Sequence, residues 1–276
     1  MKRLLTAAIG VPVALFAVFR FPEWAFLLLL VVVFEWAALE FLVMMRPLAP
    51  QAPWRLLLFT APLAAVALER GLSLGQKHGL TLDAHWLLVL AAAVAIVPPV
   101  AVLLARTPVE QAIPAAAVLA WSTLYFAAPV ASLVLLQQLD PWIFFLLLAI
   151  VWLGDTAAYY VGSAWGRHRL APVVSPKKSW EGALAGLATS LAATAVWSLW
   201  REGAIDWALL AVALATAIAS QLGDLVESLV KRAANVKDSG AILPGHGGMF
   251  DRFDAMFLAA PVMLLALWIA GFGPAR

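Results

Sequence analysis

The sequence predicts an all-α fold, a polytopic integral membrane helical bundle with about nine transmembrane helices. Hydrophobic residues make up 64% of the 276 positions and charged residues only 12%, whereas an ordinary soluble domain carries roughly 25% charged residues. The mean hydropathy is +0.94. Because backbone groups inside a bilayer must find hydrogen-bond partners within the chain, the long runs rich in Leu, Ala and Val are predicted to be helices.

Nine windows of about 20 apolar residues are long enough to cross the hydrocarbon core of a bilayer. The first follows Lys2 and Arg3 and lacks a small-residue cleavage site, so we expect it to stay in the mature protein as a membrane helix. Pro98, Pro99 and Pro129 fall inside spans, where they predict kinks. The predicted spans are residues 4–19, 22–45, 54–69, 84–105, 112–137, 141–163, 183–200, 205–230 and 253–271.

The positions of Lys and Arg predict the orientation. With the N-terminus on the cytoplasmic side, 13 of the 18 cations fall in cytoplasmic segments and 5 fall outside, as the positive-inside rule requires. We therefore expect a multi-pass protein of the inner (cytoplasmic) membrane, with its N-terminus and active site facing the cytosol. This distribution explains the net charge of +2, so no nucleic-acid partner is predicted. The absence of cysteine excludes disulfides and thiolate metal sites.

No polar linker divides the chain. We expect an N-terminal transmembrane region over residues 1–140 and a C-terminal transmembrane catalytic region over residues 141–276, within one continuous membrane unit. Eight of the 13 cytoplasmic cations lie in two segments, 164–182 and 231–252. These segments therefore hold the candidates for a functional site.

The first segment contains a short basic element that precedes the seventh span. Pro176 favours an extended Ser175, and the residues after it are predicted to open the helix. A helix N-terminus beside Lys177 and Lys178 can bind an anion through backbone N–H groups and ammonium charges. The alternative is a positive-inside anchor that faces lipid headgroups. The element reads Ser175-Pro176-Lys177-Lys178-Ser179-Trp180-Glu181-Gly182.

A polar stripe ends the eighth span. Asp224, Glu227, Ser228 and Lys231 recur at i, i+3, i+4 and i+7, so they share one helix face. Each ionisable group at membrane depth costs at least about 2.5–3.5 kcal/mol. Two carboxylates on one face therefore indicate a compensating cation, either a metal ion or a Lys or Arg in an ion pair between helices.

A Gly-rich loop links this stripe to the last span. Its glycines let backbone N–H groups approach a phosphate closely. Asp251 and Asp254 follow at i, i+3, and together with Asp224 and Glu227 they predict an oxygen-ligand Mg²⁺ site for a nucleoside triphosphate. Asp251 and Asp254 lie in the first turn of the last predicted helix, so they could instead offset its dipole. His246 is a candidate for donating a hydrogen bond to phosphate or for acting as a general acid. It could also only form hydrogen bonds within the loop.

A further carboxylate, Asp155, lies near the middle of the sixth span. Functional and structural ion-pair roles are both open for it.

These residues resemble the phosphatidate cytidylyltransferase (CDP-diacylglycerol synthase) family. The run from Ser228 to Asp254 fills the family pattern without a gap, including Lys-Asp, His-Gly-Gly and Asp-Arg-apolar-Asp. The elements at 175–182 and 155–162 are also similar to the family, although Ser179 stands where Thr is more frequent. The resemblance covers residues 150–255, and the N-terminal half matches in hydropathy only.

The resemblance implies a Mg²⁺-dependent transfer of the CMP moiety of CTP to phosphatidate, giving CDP-diacylglycerol and pyrophosphate in phospholipid biosynthesis. It also implies K⁺ as a candidate second cation, a homodimer, and a polar cavity that CTP enters from the cytosol and phosphatidate from the bilayer. The implied metal ligands are Asp224, Asp251, Asp254 and Glu227. The implied catalytic residues are Asp224, Asp251, Lys231, Arg232, Lys237, Asp238, His246 and Arg252. The implied substrate-binding residues are Ser175, Lys177, Lys178, Glu181, Ser228, Gly247 and Gly248.

Three other functions fit the sequence less well. A CTP-dependent polyprenol or phytol kinase would use the same nucleotide but release CDP, and the complete His-Gly-Gly and Asp-Arg-x-Asp stretch argues against it. A CDP-alcohol phosphatidyltransferase would require an Asp-Gly-x-x-Ala-Arg run, which is absent. A transporter would show repeat symmetry, whereas the polar residues here gather in the C-terminal part of the chain.

Overall fold

A computed structural model describes residues 12–77, 84–240 and 247–272. Within these residues, eight helices are long and apolar enough to cross a membrane. The prediction of an all-α, multi-pass membrane protein is therefore confirmed. The first predicted span, residues 4–19, is described only over its second half, residues 12–19, and the rest lies outside the described residues. The eight spans found are Glu23–Leu48, Trp54–Ser73, Leu87–Leu104, Val109–Leu139, Pro141–Trp165, Trp180–Glu202, Trp207–Ala233 and Phe250–Ile269.

The described residues form two compact units. The first unit comprises residues 12–135 together with residues 233–252, and the second comprises residues 136–232 together with the segment that begins at residue 253. Residues 233–240 and 247–252 thus belong to the same unit as the N-terminal helices.

The first unit is built from long apolar helices. Prolines lie inside three of them, including Pro98, Pro99 and Pro129. Its core contains a cluster of three phenylalanines, Phe41, Phe126 and Phe250. The helices are α1 (described over residues 12–20), α2 (Glu23–Met45), α3 (Leu57–Lys77), α4 (Ala84–Leu104) and α5 (Val109–Leu139), with the start of α9 (Phe250–Phe253).

The second unit contains four long helices and one small hairpin. These elements are α6 (Pro141–Trp165), β1 (Arg169–Ala171), β2 (Ser175–Ser179), α7 (Trp180–Glu202), α8 (Trp207–Ala233) and α10 (Met256–Ile269). The two strands pair in antiparallel fashion, with Arg169 opposite Ser179.

Helices α6 and α7 pack closely because small residues face each other. A Cβ atom at Gly182 would lie 2.6 Å from the carbonyl oxygen of Ala158, so only glycine allows this approach. The hydroxyl of Ser190 on α7 donates to the carbonyl oxygen of Ile150 on α6 at 2.8 Å. A buried hydrogen bond of this kind contributes about 1 kcal/mol. The closely packed pair of helices α6 and α7 forms one wall of the neighbouring cavity.

The prediction for the residues after Pro176 was wrong in one detail. Ser175 is extended, as the following proline requires. The residues after Pro176 do not open the helix, however, because they continue as β2 and pair with β1. Helix α7 begins at Trp180, and the Ser179 side chain caps it by accepting a hydrogen bond from the Gly182 N–H at 3.2 Å.

Candidate active site

A cavity of about 320 Å³ lies in the second unit among α6, α7, α8 and the hairpin. Its lining includes Asp155, Tyr159, Lys177, Lys178 and Asp224. This volume is at the lower end of the range of small-molecule pockets, roughly 300–1,000 Å³. The cavity thus combines apolar helix walls with ionisable side chains from three separate elements.

Three carboxylates gather beside this cavity. Asp224 and Glu227 share a face of α8, and Asp254 comes two residues before α10. One oxygen from each carboxylate can be chosen so that all three lie within 4.8 Å of one another. Glu227 is fully buried. The approach depends on Gly223, where a Cβ atom would lie 2.7 Å from the carbonyl oxygen of Asp254.

Two lysines form ion pairs with these carboxylates. The Lys178 Nζ lies 2.5 Å from the Asp224 Oδ2, and the Lys231 Nζ lies 2.8 Å from the Glu227 Oε2. Asp155 is close enough to Asp224 and Lys178 to interact with both electrostatically. The cluster thus holds four carboxylates and two ammonium groups. Uncompensated negative charge is costly in a low-dielectric region, so the arrangement favours the binding of a further cation.

The donor set fits a Mg²⁺ ion. Magnesium prefers hard oxygen ligands at about 2.0–2.1 Å in octahedral geometry, so oxygens on opposite sides of the ion lie about 4 Å apart. The oxygens of Asp224, Glu227 and Asp254 already lie within 4.8 Å. Small side-chain movements would bring these three carboxylates to such an ion.

The basic element at 175–182 is held against the cavity by its neighbours. Arg232 at the end of α8 donates from its Nε to the Val174 carbonyl oxygen at 3.4 Å. Lys177 and Lys178 both line the cavity. Ser175 begins β2. The hairpin therefore carries the two predicted phosphate-binding lysines to the cavity.

Glu181, a predicted substrate-binding residue, supports the hairpin. Its carboxylate accepts hydrogen bonds from the backbone N–H groups of Arg167 and His168 at 3.1 and 3.3 Å, and lies 2.6 Å from the His168 Nδ1. These contacts tie the turn after α6 to the first turn of α7. Ser228, also a predicted substrate-binding residue, is half-buried on α8.

The first unit contains the remaining described candidates. The Asp251 Oδ2 accepts hydrogen bonds from the N–H groups of Ser239 and Gly248 at 3.0 and 2.8 Å. Gly247 has a φ of +75°, a conformation that favours glycine. Three further candidates, Lys237, Asp238 and Arg252, are exposed. His246 lies outside the described residues.

Glu40 was not identified by sequence reasoning. It lies on α2, is 4% exposed, and contacts the loop that carries Asp251. A carboxylate inside an apolar helix is a signal that could have identified it, since such residues are rarely placed in a membrane span without a partner.

Comparisons with known proteins agree with these features. A profile described as the cytidylyltransferase family matches residues 1–270. A protein named phosphatidate cytidylyltransferase from Staphylococcus haemolyticus is 47% identical over 119 residues, which is 43% of this chain and 46% of that relative. Proteins of the same name from Staphylococcus saprophyticus and Staphylococcus aureus are 46% and 47% identical over the same length. The match therefore spans about half the length of these relatives.

Proposed function

This chain belongs to the cytidylyltransferase family, and we propose that it is a phosphatidate cytidylyltransferase, an enzyme that transfers the CMP moiety of CTP to phosphatidate. The observation that carries this proposal is the group formed by Asp224, Glu227 and Asp254 beside a cavity lined by Lys177 and Lys178. Carboxylates that can hold Mg²⁺, together with lysines that can hold phosphates, are what a nucleotidyl transfer between two anions requires.

The reaction needs little covalent chemistry from the protein. A phosphate oxygen of phosphatidate attacks the α-phosphorus of CTP and forms a new P–O bond. The bond from the α-phosphorus to the bridging oxygen of the β-phosphate breaks, and pyrophosphate leaves with that oxygen and the bonding electrons. The attacking phosphate is already an anion, so no strong base is needed. Catalysis then depends on alignment and on neutralising negative charge.

We assign the charge-neutralising roles as follows. Asp224, Glu227 and Asp254 would hold Mg²⁺, and Asp251 is a further metal ligand proposed from the family pattern. When bound, such an ion would supply the positive charge that favours departure of pyrophosphate. Lys178 leaves Asp224 to contact a phosphate oxygen, because its flexible side chain can change partners at little cost. We propose the same role for Lys231 and Arg232, at the end of α8, toward the phosphate of phosphatidate.

Release of pyrophosphate and CDP by purified protein in detergent tests the proposal. With CTP, phosphatidate and Mg²⁺, we expect pyrophosphate that depends on both the lipid and the metal, and a loss of about 10³-fold or more in Asp224→Asn. Formation of CDP with a lipid alcohol would instead indicate a kinase. A wild-type protein that releases neither product under any of these conditions would contradict the proposal.

We further propose that the protein lies in the cytoplasmic membrane with the site facing the cytosol, as the positive-inside distribution favours. The chain has no cysteine, so single cysteines report topology cleanly. A cysteine at the exposed position Arg106 should react only from the cytosolic side, and one at the exposed Glu202 only from the opposite side. The reverse pattern would contradict this orientation.

We also propose that the protein forms a homodimer. A monomer mass measured both in detergent and in lipid nanodiscs would contradict this proposal.

A further inference from the structure

Glu40 makes an unusual set of contacts for a carboxylate inside an apolar helix. Its Oε1 accepts a hydrogen bond from the Met249 N–H at 2.9 Å, and its Oε2 accepts one from the Phe250 N–H at 2.9 Å. The Oε2 also lies 2.9 Å from the Ser239 hydroxyl, which can donate to it. One buried side chain of α2 thus receives donors from both ends of the segment 239–250.

The backbone at Gly240 and at Gly248 fits closely around Glu40. A Cβ atom at Gly240 would lie 2.8 Å from the Glu40 Oε1 and 3.0 Å from its Cδ, and all three of its nearest atoms belong to Glu40. A Cβ atom at Gly248 would collide with the Glu40 Oε2 and with the Ser239 hydroxyl oxygen. These two glycines are therefore required by the approach of the carboxylate.

The same segment holds Asp251. Its Oδ2 accepts hydrogen bonds from the N–H groups of Ser239 and Gly248 and lies 2.9 Å from the Ser239 hydroxyl. That hydroxyl has a single hydrogen, so Glu40 and Asp251 share it as acceptors. Ser239 and the backbone of residues 248–250 therefore connect Glu40 to Asp251.

Apolar contacts hold the side chain of Phe250, whose N–H donates to Glu40. The Phe250 ring packs on Phe126 and Phe41, with ring centroids 5.8 and 6.1 Å apart. Phe41 follows Glu40 directly on α2. The backbone and the side chain of Phe250 are thus both held by adjacent residues of one helix.

We infer that Glu40 is a positioning residue for nucleotidyl transfer. It fixes the segment 247–252 through the N–H groups of Met249 and Phe250 and so sets the position of Asp251 and Arg252. This inference rests on the proposed function, because it concerns residues assigned to the same reaction. Glu40 itself lies in the N-terminal half, outside the stretch that carries the family pattern.

The first test compares Glu40→Gln with Glu35→Gln. Both replace a carboxylate on α2 by its amide, and Glu35 is half-buried. In Glu40→Gln, the amide NH₂ faces a backbone N–H and cannot accept its hydrogen bond. We expect faster hydrogen exchange in peptides that contain residues 249 and 250, with no change in peptides from α7. Glu35→Gln should exchange like the wild type in both regions.

The kinetic readout separates positioning from a loss of folded protein. A smaller folded fraction lowers the maximal rate but leaves the Mg²⁺ concentration for half-maximal activity unchanged. A displaced Asp251 should raise that concentration, and we expect an increase in Glu40→Gln together with a fall in kcat of about 10- to 100-fold. Ser239→Ala, which removes only the shared hydroxyl, should change both quantities in the same direction by less.

A double-mutant cycle tests the contact without any activity measurement. Gly240→Ala should lower the unfolding temperature in the wild-type background, where the new methyl group meets Glu40. The same substitution should have a smaller effect in Glu40→Ala, because the colliding atoms are gone. Equal effects in the two backgrounds would show that the segment does not depend on Glu40.

The outcomes distinguish this inference from the proposed function. If the wild type releases lipid-dependent pyrophosphate but Glu40→Gln keeps the wild-type exchange and Mg²⁺ dependence, only the role of Glu40 is overturned. If the wild type is inactive, the proposed function fails and the positioning role for that reaction fails with it. Faster hydrogen exchange in Glu40→Gln and a non-additive double-mutant cycle would then show only that Glu40 anchors the loop.

Discussion

Two carboxylates near the cavity of the second unit form ion pairs with lysine side chains, whereas two carboxylates of the first unit accept hydrogen bonds from backbone N–H groups. Asp224 and Glu227 contact Lys178 and Lys231, while Glu40 and Asp251 contact N–H groups of the segment 239–250. A lysine can change partner when a ligand arrives, but a backbone N–H is fixed by the path of the chain. The contrast indicates that the lysine pairs of the second unit serve binding, whereas the backbone contacts of the first unit hold Glu40 and Asp251 in fixed positions.

The largest expected effect separates activity from stability in the second unit. Asp254→Asn removes one charge from a crowded carboxylate group, so like-charge repulsion falls and the unfolding temperature should stay equal or rise. Activity should fall by about 10³-fold, because a metal ligand is lost. Pyrophosphate release and thermal unfolding in detergent measure the two quantities.

Asp206→Asn provides the matched control for that variant. Asp206 is in the same unit and accepts hydrogen bonds from the N–H groups of Ala208 and Leu209 at the start of α8. Asn caps helices about as well as Asp, so stability and activity should both remain near the wild-type values. An Asp254→Asn protein that loses stability in proportion to activity would contradict a ligand-binding role for the cluster.

A second, smaller effect on activity concerns Lys178, which we propose changes partner from Asp224 to a phosphate. Lys178→Met removes the ammonium group that contacts Asp224, and we expect a loss of about 10²-fold in kcat/KM, comparable to the loss of one charge-stabilising donor. Lys178→Arg keeps the charge and should lose less. If Met and Arg at this position lower kcat/KM equally, then charge is not what Lys178 contributes.

A third effect tests the backbone-based arrangement of the first unit. In Gly248→Ala the new methyl group meets Glu40 and Ser239, and overpacking of this kind costs about 1–3 kcal/mol of unfolding free energy. Gly203→Ala is the control, because Gly203 has a φ of +73° but no atom lies within 4 Å of the place that its new methyl group would take. Its backbone strain alone should cost about 1 kcal/mol. Equal losses of stability in denaturant titrations would contradict the close fit around Glu40.

The sequence predicted the helices and much of the carboxylate cluster because both follow from local rules. Apolar length alone identifies the spans, and i, i+3 spacing places Asp224 and Glu227 on one face. Asp254 lies close to Asp224 and Glu227, as the predicted grouping of these carboxylates requires. Asp155, whose role the sequence left open, lies beside Asp224 and Lys178, which favours its membership of the charged cluster.

Two features depended on contacts that the sequence does not display. The hairpin at 169–179 lacks alternation of apolar and polar residues, so it carried no strand signal. The Glu40 contacts join residues about 200 positions apart, and their existence depends on the packing of α2 against a loop. Neither composition nor spacing can predict such a contact from one sequence.

The smallest expected effect concerns an ion pair of the second unit that has no role in the proposed chemistry. Arg201 lies 3.0 Å from Asp140 and stacks near the rings of Trp142 and Trp197. Because both charged groups are about 30% exposed, Arg201→Gln should cost only about 1 kcal/mol or less. Activity should be unchanged, since neither residue lines the cavity. A loss of activity comparable to that of Lys178→Met would mean that ion pairs in this unit act together, and the distinction between binding and structural charges would fail.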